Sequence, residues 1–382
     1  MKIPFLSIMR REFFYMWKDR GLRFILLLGP ILGLLLFYGI YSTQVVKNIP
    51  TAIIDLDHSS DSREVVNDLA NIDYLKIAAY PDTYQELEKM VQSGQVAVGV
   101  VIPENYGRDL GSKKGARILA IIDGSNTIYA TNANNAILGV SRTINARAGI
   151  KTLIAGGLTT AEATDAYQRI NFEQEAWFNP TLNYAYFMVL AFALNVWQHC
   201  CMLASTMNFT GETKFPSWLQ LKASGYPLNR LFLSKSITHV AVFITILIPI
   251  YVLAFGVFKF PLACNIAVLF LFSLVFILSI HSLGTFISTL ALNAVDATRF
   301  GMIIAVPSFV ISGYVWPIEA MPGVLQLLAW VLPQTWFFQG FNYLVFKNPG
   351  FNYMLPYFAV LAGVAVLFYL LTAMVISIKE RC

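Results

Sequence analysis

Charged side chains are scarce in this chain: 27 Lys and Arg with 22 Asp and Glu amount to 13% of 382 residues, about half the share of an ordinary soluble domain. That scarcity excludes a solvated surface around the whole molecule. Cysteine is nearly absent, with four residues. Cys200 and Cys201 sit in one apolar run, Cys264 opens another and Cys382 ends the chain, so the long polar stretch Thr43–Asn179 carries neither a disulfide framework nor a zinc pattern. The G-x-x-x-x-G-K-[ST] loop that cradles phosphates is missing. Gly111-Ser112-Lys113-Lys114-Gly115 and Gly156-Gly157-Leu158-Thr159 have the glycines without the spacing. No G-x-S-x-G elbow is present either, and no catalytic residue is expected. The net charge of +5 is spread along the chain instead of gathered in one patch, which argues against nucleic acid as a partner. Internal repeats and low-complexity tracts are absent.

What the chain does have is apolar surface: 57% hydrophobic residues, 14% aromatic, and a mean hydropathy of +0.59. A bilayer-spanning helix takes about 20 mainly apolar residues at 1.5 Å each. That length test selects Phe24–Tyr41, Leu182–Met207, Ile237–Phe258, Leu262–Leu290, Thr298–Val315 and Tyr353–Ile378. The first run follows a basic lead and no A-x-A site follows it, so it reads as a retained anchor. The lead itself, IMRREFFYMWKDRGLRF, mixes apolar and basic stretches as an interfacial helix does.

Lys and Arg near the span ends set the orientation. Lys2, Arg10, Arg11, Lys18, Arg20 and Arg23 precede the first span; Lys214, Lys222, Arg230 and Lys235 lie between the second and third; Arg299 follows the fourth; Lys379 and Arg381 close the chain. The opposite side has Lys47, Arg169, Lys259 and Lys347. Both termini are therefore expected in the cytoplasm, with residues 43–180 external. Within that stretch Pro50–Leu56, Gln95–Ile102 and Arg117–Asp123 read as strands, and Ser62–Ala70, Thr83–Val91 and Asn126–Gly156 as helices. A capping-box pattern at Thr159–Glu162 opens a further helix.

The fold class is thus a membrane all-α bundle of about six transmembrane helices, with an external α/β domain inserted after the first. The divisions are 1–23, an amphipathic elbow helix; 24–42, the first span; 43–180, the external domain; and 181–382, the remaining spans. In the last of these, 208–235 is a cytoplasmic loop. The segment 316–348 is a re-entrant hairpin before the last helix, because Val324–Val331 and Trp336–Phe346 are too short to span and Pro333 separates them.

Three sets of segments resemble the type-two family of ABC exporter permeases, in the branch with a large external domain after the first span. They are IPTAIIDLDHSSDSREVVNDL, VAVGVVIPENYGRDL and IDGSN in the external domain; ISGYVWPIEAMPGVLQLLAWVLPQTWFFQGF from Ile311; and GETKFPSWLQLKASGYPLNRLFLSK from Gly211. The resemblance implies a permease subunit in the inner (cytoplasmic) membrane, moving a hydrophobic or amphiphilic compound outward. ATP and Mg would be bound by a separate ABC ATPase, since this chain has no site of its own. A second permease copy, identical or related, and a membrane-fusion adaptor are the further partners implied. Glu212, Lys214, Trp218, Pro227, Arg230 and Lys235 would contact the ATPase. The chain departs from the family at Gly211-Glu212-Thr213-Lys214, where a longer run of alternating Arg and Glu is usual.

Gly313, Pro317, Pro322 and Pro333 would hold the re-entrant segment, with Trp316, Trp330, Trp336, Phe337 and Phe338 either lining or capping an exit path for an apolar cargo or forming an interfacial belt. His199, His239 and His281 lie within spans, where ionisable groups are costly. A proton relay or metal site is one reading; hydrogen bonding between helices is the favoured one. Asp55, Asp57, His58 and Asp61 read as a strand-end turn and helix cap in preference to a metal site. Two other classes compete with the permease: a non-transporting receptor or scaffold with an external ligand-binding domain, and a membrane-embedded lipid enzyme.

Overall fold

The computed structural model describes residues 5–42, 46–112, 115–167, 175, 177–180, 183–210 and 227–381. In chain order the elements are α1 (Phe5–Lys18), α2 (Arg20–Ile40), β1 (Ile49–Asp55), α3 (Ser60–Ala70), β2 (Leu75–Ala79), α4 (Tyr84–Gln92) and β3 (Val98–Ile102). They continue with α5 (Tyr106–Gly111), β4 (Leu119–Ile122), α6 (Thr127–Ala155), α7 (Thr160–Tyr167), α8 (Tyr184–Thr210) and α9 (Leu228–Tyr251). The last are α10 (Ile266–Leu290), α11 (Ala294–Ile311), α12 (Gly323–Val331), α13 (Pro333–Asn342) and α14 (Phe351–Arg381). Contacts divide the chain into two compact units, Met1–Ser42 with Ala176–Cys382, and Thr43–Glu175.

The first unit is helical. Among the described residues six helices are long and apolar enough to cross a membrane: α2, α8, α9 with the π-helical turns that extend it to Val257, α10, α11 and α14 up to Ile378. Two of these are buried along most of their length, α8 and α10, and the others wrap them. Helix α8 packs on α10 where Gly284 leaves room; a Cβ there would lie 2.6 Å from Ser205 Cβ, so only glycine permits that approach. The core holds Trp197, Phe243, Phe272, Phe276 and Phe337, with the Phe276 and Phe337 rings stacked at 3.8 Å. The outward faces of α2 and α14 expose Leu32, Leu35, Leu36, Leu367 and Leu370, an apolar band that water would penalise and lipid accepts.

Helix starts differ from those expected because the chain spends polar residues on caps and paired interior positions that an apolar-run test does not count. Asp19 caps α2 by accepting from Leu22 N, so that helix begins before Phe24. Asn293 does the same for α11 at Asp296 N. The third span begins at Leu228 and not at Ile237, and α8 runs on to Thr210, so both ends of the expected 208–235 loop are helical. Between α11 and α14, the two short helices α12 and α13 meet at Leu332 and Pro333, with Pro333 in the first turn of α13 where its missing N–H costs nothing.

The second unit is a four-stranded sheet in the order β2-β1-β3-β4, with β1 parallel to both β2 and β3, and β4 antiparallel to β3. Alternation along the strands sends Ile53, Val98 and Val100 to one face against Val65 of α3 and Ile137 of α6. It sends Ala52, Ile54 and Val101 to the other against Leu87 of α4. Helix α7 opens with the reciprocal cap expected from its sequence, Thr159 N donating to Glu162 and Glu162 N to Thr159 Oγ1. Strand β2 was not expected. It is a five-residue edge with Lys76 and two alanines, and its alternation of buried and exposed positions is too short and weakly apolar to stand out.

Candidate functional site

Helix α1 is amphipathic, and Ile8, Glu12 and Met16, one turn apart, form its buried face. A carboxylate in that stripe needs partners, because burying an unpaired charge is costly. Helix α9 supplies them from Lys235 and His239, four residues apart and so on one face. Lys235 Nζ lies 3.1 Å from Glu12 Oε2 and His239 Nε2 lies 2.9 Å from Glu12 Oε1, with all three side chains at most 4% exposed. Burial pushes the Glu12 carboxyl up, but the Lys235 ammonium and the His239 imidazole outweigh it and hold the group at about 2. It is therefore an anion at any physiological pH.

The polar chain continues inward. The His239 ring meets that of His281 on α10 edge-on at 5.4 Å, and His281 Nδ1 lies 2.9 Å from the Tyr369 hydroxyl on α14. Four helices, α1, α9, α10 and α14, are thereby joined through ionisable or hydroxyl side chains. Burial away from water makes each of these contacts depend on its partners, and the cluster links α1 to α9 through side chains alone.

A second polar seam crosses the helices nearer α13. Gln198 of α8 donates to Ala305 O and Ser308 Oγ of α11, at 3.3 and 3.4 Å, and accepts from Gln334 Nε2 of α13 at 3.3 Å. Gln339 of α13 donates to Ser312 O at 3.2 Å. The turn after α11 is closed by Gly313 at φ +83°, where a Cβ would meet Ile318 and Gln339 within 2.8 Å.

The residues singled out in the sequence fall as follows. Glu212, Lys214 and Trp218 lie outside the described residues. Pro227 and Arg230 are exposed at the start of α9, while Lys235, grouped with them in the sequence, is inside the bundle on Glu12. His239 and His281 come together; His199 bonds within its own helix, Nδ1 lying 2.6 Å from Asn195 O. Pro317 and Pro322 are exposed on the path to α12, and Trp336 donates from Nε1 to Trp330 O at 3.0 Å. In the second unit Asp55 accepts from the backbone N–H of Asp57 and His58 and from Ser62 Oγ, and Asp57 accepts from Gly107 N. Bonds from Ser59 and Gly107 hold the Asp57 carboxyl below the usual range. These acids thus serve as turn and cap acceptors.

Residues 20–374 match the family of ABC-2 family transporter proteins, which is nearly the whole chain. The chain belongs to the ABC-2 transporter family. Its relatives include two probable multidrug ABC transporter permeases of Escherichia coli K12. One is YbhR, 23% identical over 86% of this chain and 85% of its own, and the other YbhS, 24% identical over 81% and 79%. The inner membrane transport permease YhhJ of the same strain is 22% identical over 84% and 83%. The six spanning helices and this membership make the chain a multi-pass permease of the ABC-2 type.

Sequence reasoning missed Glu12, Gln198 and Gln334. Glu12 was masked by Arg10 and Arg11, and its partner His239 is 227 positions away. The one available signal was its place in the Ile8–Glu12–Met16 stripe.

Proposed function

We propose that this chain is the membrane-spanning subunit of an exporter that moves a hydrophobic or amphiphilic compound out of the cytoplasm or inner leaflet. ATP is hydrolysed by a separate cytoplasmic ABC ATPase, and a second permease copy completes the pathway. Both termini are cytoplasmic and residues 43–180 external, and 316–348 re-enters the membrane from that side. The relatives' names, multidrug and inner membrane permeases, support the substrate class and the location.

The observation that carries this reading is the Glu12–Lys235–His239 cluster. It ties α1 to the first turns of α9, directly after the segment with Pro227 and Arg230 that would dock on the ATPase. ATPase closure would press on that segment, and the buried ion pair would pass the displacement to α1 and, through His281 and Tyr369, to α10 and α14.

The test is reconstitution in inverted vesicles with the ATPase that co-purifies with the chain, following ATP-dependent accumulation of a lipophilic dye. Arg230→Ala should abolish accumulation while leaving the complex assembled and hydrolysis running. If no ATPase co-purifies and no added ABC ATPase is stimulated, the receptor or scaffold reading replaces this one.

A further inference from the structure

Between α1, α2 and α9 lies an open-sided groove of about 590 Å³, within the range of about 300–1,000 Å³ typical of ligand sites. Its floor is apolar, from Leu26 and Leu27 of α2 and Val242 and Ile246 of α9. Its lining includes two arginines, Arg10 of α1 and Arg23 of α2, and Arg23 also reaches the Trp17 carbonyl at 3.5 Å. Each rests over an aromatic ring, Arg10 at 5.4 Å from the Phe14 centroid and Arg23 at 5.8 Å from that of Trp17. Among the described residues no carboxylate is paired with either. The only acids between Phe5 and Ile40 are Glu12, occupied by Lys235 and His239, and Asp19, which caps α2. Two arginines that line one apolar groove therefore have no carboxylate partner among the described residues.

We propose that this groove binds one anionic glycerophospholipid of the bilayer, with its phosphate on Arg10 and Arg23 and an acyl chain along Leu26, Leu27, Val242 and Ile246. Guanidinium is suited to phosphate because its planar donors match the phosphate oxygens and it is weakly hydrated. The aromatic rings beneath hold the two groups at the level where headgroups lie. A second groove on the same bundle makes the contrast. The one between α9, α10 and α14, about 540 Å³, includes Phe232, Ile244 and Leu278 and no charged side chain, so it offers an acyl chain the same floor without a phosphate site. The bound lipid would lie against both α1 and α9 beside the Glu12–Lys235 pair, and would brace the elbow on the bundle.

The test is native mass spectrometry of the full-length protein titrated with phosphatidylglycerol or phosphatidylcholine of identical acyl chains. One phosphatidylglycerol should be retained in preference to phosphatidylcholine. Each guanidinium removed should cost about fivefold in affinity, so Arg10→Gln with Arg23→Gln should cost about 25-fold. Thr245→Trp, which fills the groove and leaves both cations, should also release the lipid. Lys18→Gln with Arg20→Gln removes the same charge from the same end of the chain, outside the groove, and should leave retention within about twofold, because diffuse attraction is screened. Equal retention of the two lipids, an equal loss in the Lys18 and Arg20 variant, or full retention in Thr245→Trp would overturn the proposal. A Thr245→Trp protein that keeps its lipid but loses its dimer would assign the groove to a second copy instead, and competition by the transported dye with no headgroup preference would assign it to cargo.

Discussion

Two ionic contacts, one in each unit, use the same chemistry under opposite conditions. In the helical unit Lys235 and Glu12 meet with side chains 3% and 4% exposed. In the sheet unit Arg147 of α6 bridges Glu64 and Asp68, one turn apart on α3, with side chains 36%, 42% and 26% exposed. The first pair has surrendered its hydration and depends on its partners for all of its solvation; the second keeps water as an alternative partner. Loss of one member should therefore be severe in the bundle and mild on the sheet unit. The buried pair constrains where α1 sits, whereas the exposed one adds to a contact that Val65 and Ile137 already make.

The largest effect is expected for Glu12→Ala, which leaves the Lys235 ammonium buried without its carboxylate and should cost about 3–5 kcal/mol. Chemical unfolding of the full chain in nanodiscs would measure it. Replacing both members, Glu12→Leu with Lys235→Met, should recover most of that stability, because neither the buried carboxylate nor the buried ammonium remains. It should not recover transport if the pair couples α1 to α9. Stability recovered together with transport would remove the coupling role.

The same pair sets a pH dependence. The folded Glu12 carboxyl sits at about 2, below its ordinary 4.5, so its contribution is complete above 4.5 and is lost as pH falls toward 2. Hydrogen exchange of α1 should rise through that window in the wild type and stay flat in Glu12→Gln. A flat wild-type profile would mean that other contacts fix α1.

How much of this was legible in the sequence follows from the range of the interactions. The spans, the strands β1, β3 and β4 and the cap of α7 are written in local pattern: apolar runs, alternation and Thr159–Glu162 spacing. The helix ends were displaced wherever polar residues are satisfied inside or at caps, as at Lys235 and Asp19. The cluster itself was half legible. His239 and His281 stand out as ionisable groups within apolar runs, but that they meet each other and Glu12 depends on packing between α1, α9 and α10, which no local pattern encodes. The same holds for Gln198 and Gln334, which lie 136 positions apart.

An intermediate effect is expected from a neutral device on the sheet unit. Asn126 accepts from the N–H groups of Ile128 and Tyr129 at the start of α6. Asn126→Ala should cost about 1 kcal/mol, seen as faster exchange in the first turn of α6 with the bundle unaffected. Loss spreading through the whole unit would show that this turn, and not the core of the sheet, limits its stability.

The smallest effect should come from Arg147→Gln, and it is the sharpest test of the comparison. It breaks two ionic contacts, as many as Glu12→Ala removes at Lys235 and His239. Both Glu64 and Asp68 can turn to water when the guanidinium is gone, and their mutual repulsion at one helical turn is weak at that exposure. The cost should stay below about 1 kcal/mol and shrink further as salt is raised toward 1 M, where the Debye length is about 3 Å. Local exchange in α3 and α6 of the full chain would read it. A loss comparable to that of Glu12→Ala, or one indifferent to salt, would mean that connectivity between helices, and not removal from water, decides what an ion pair contributes in this protein.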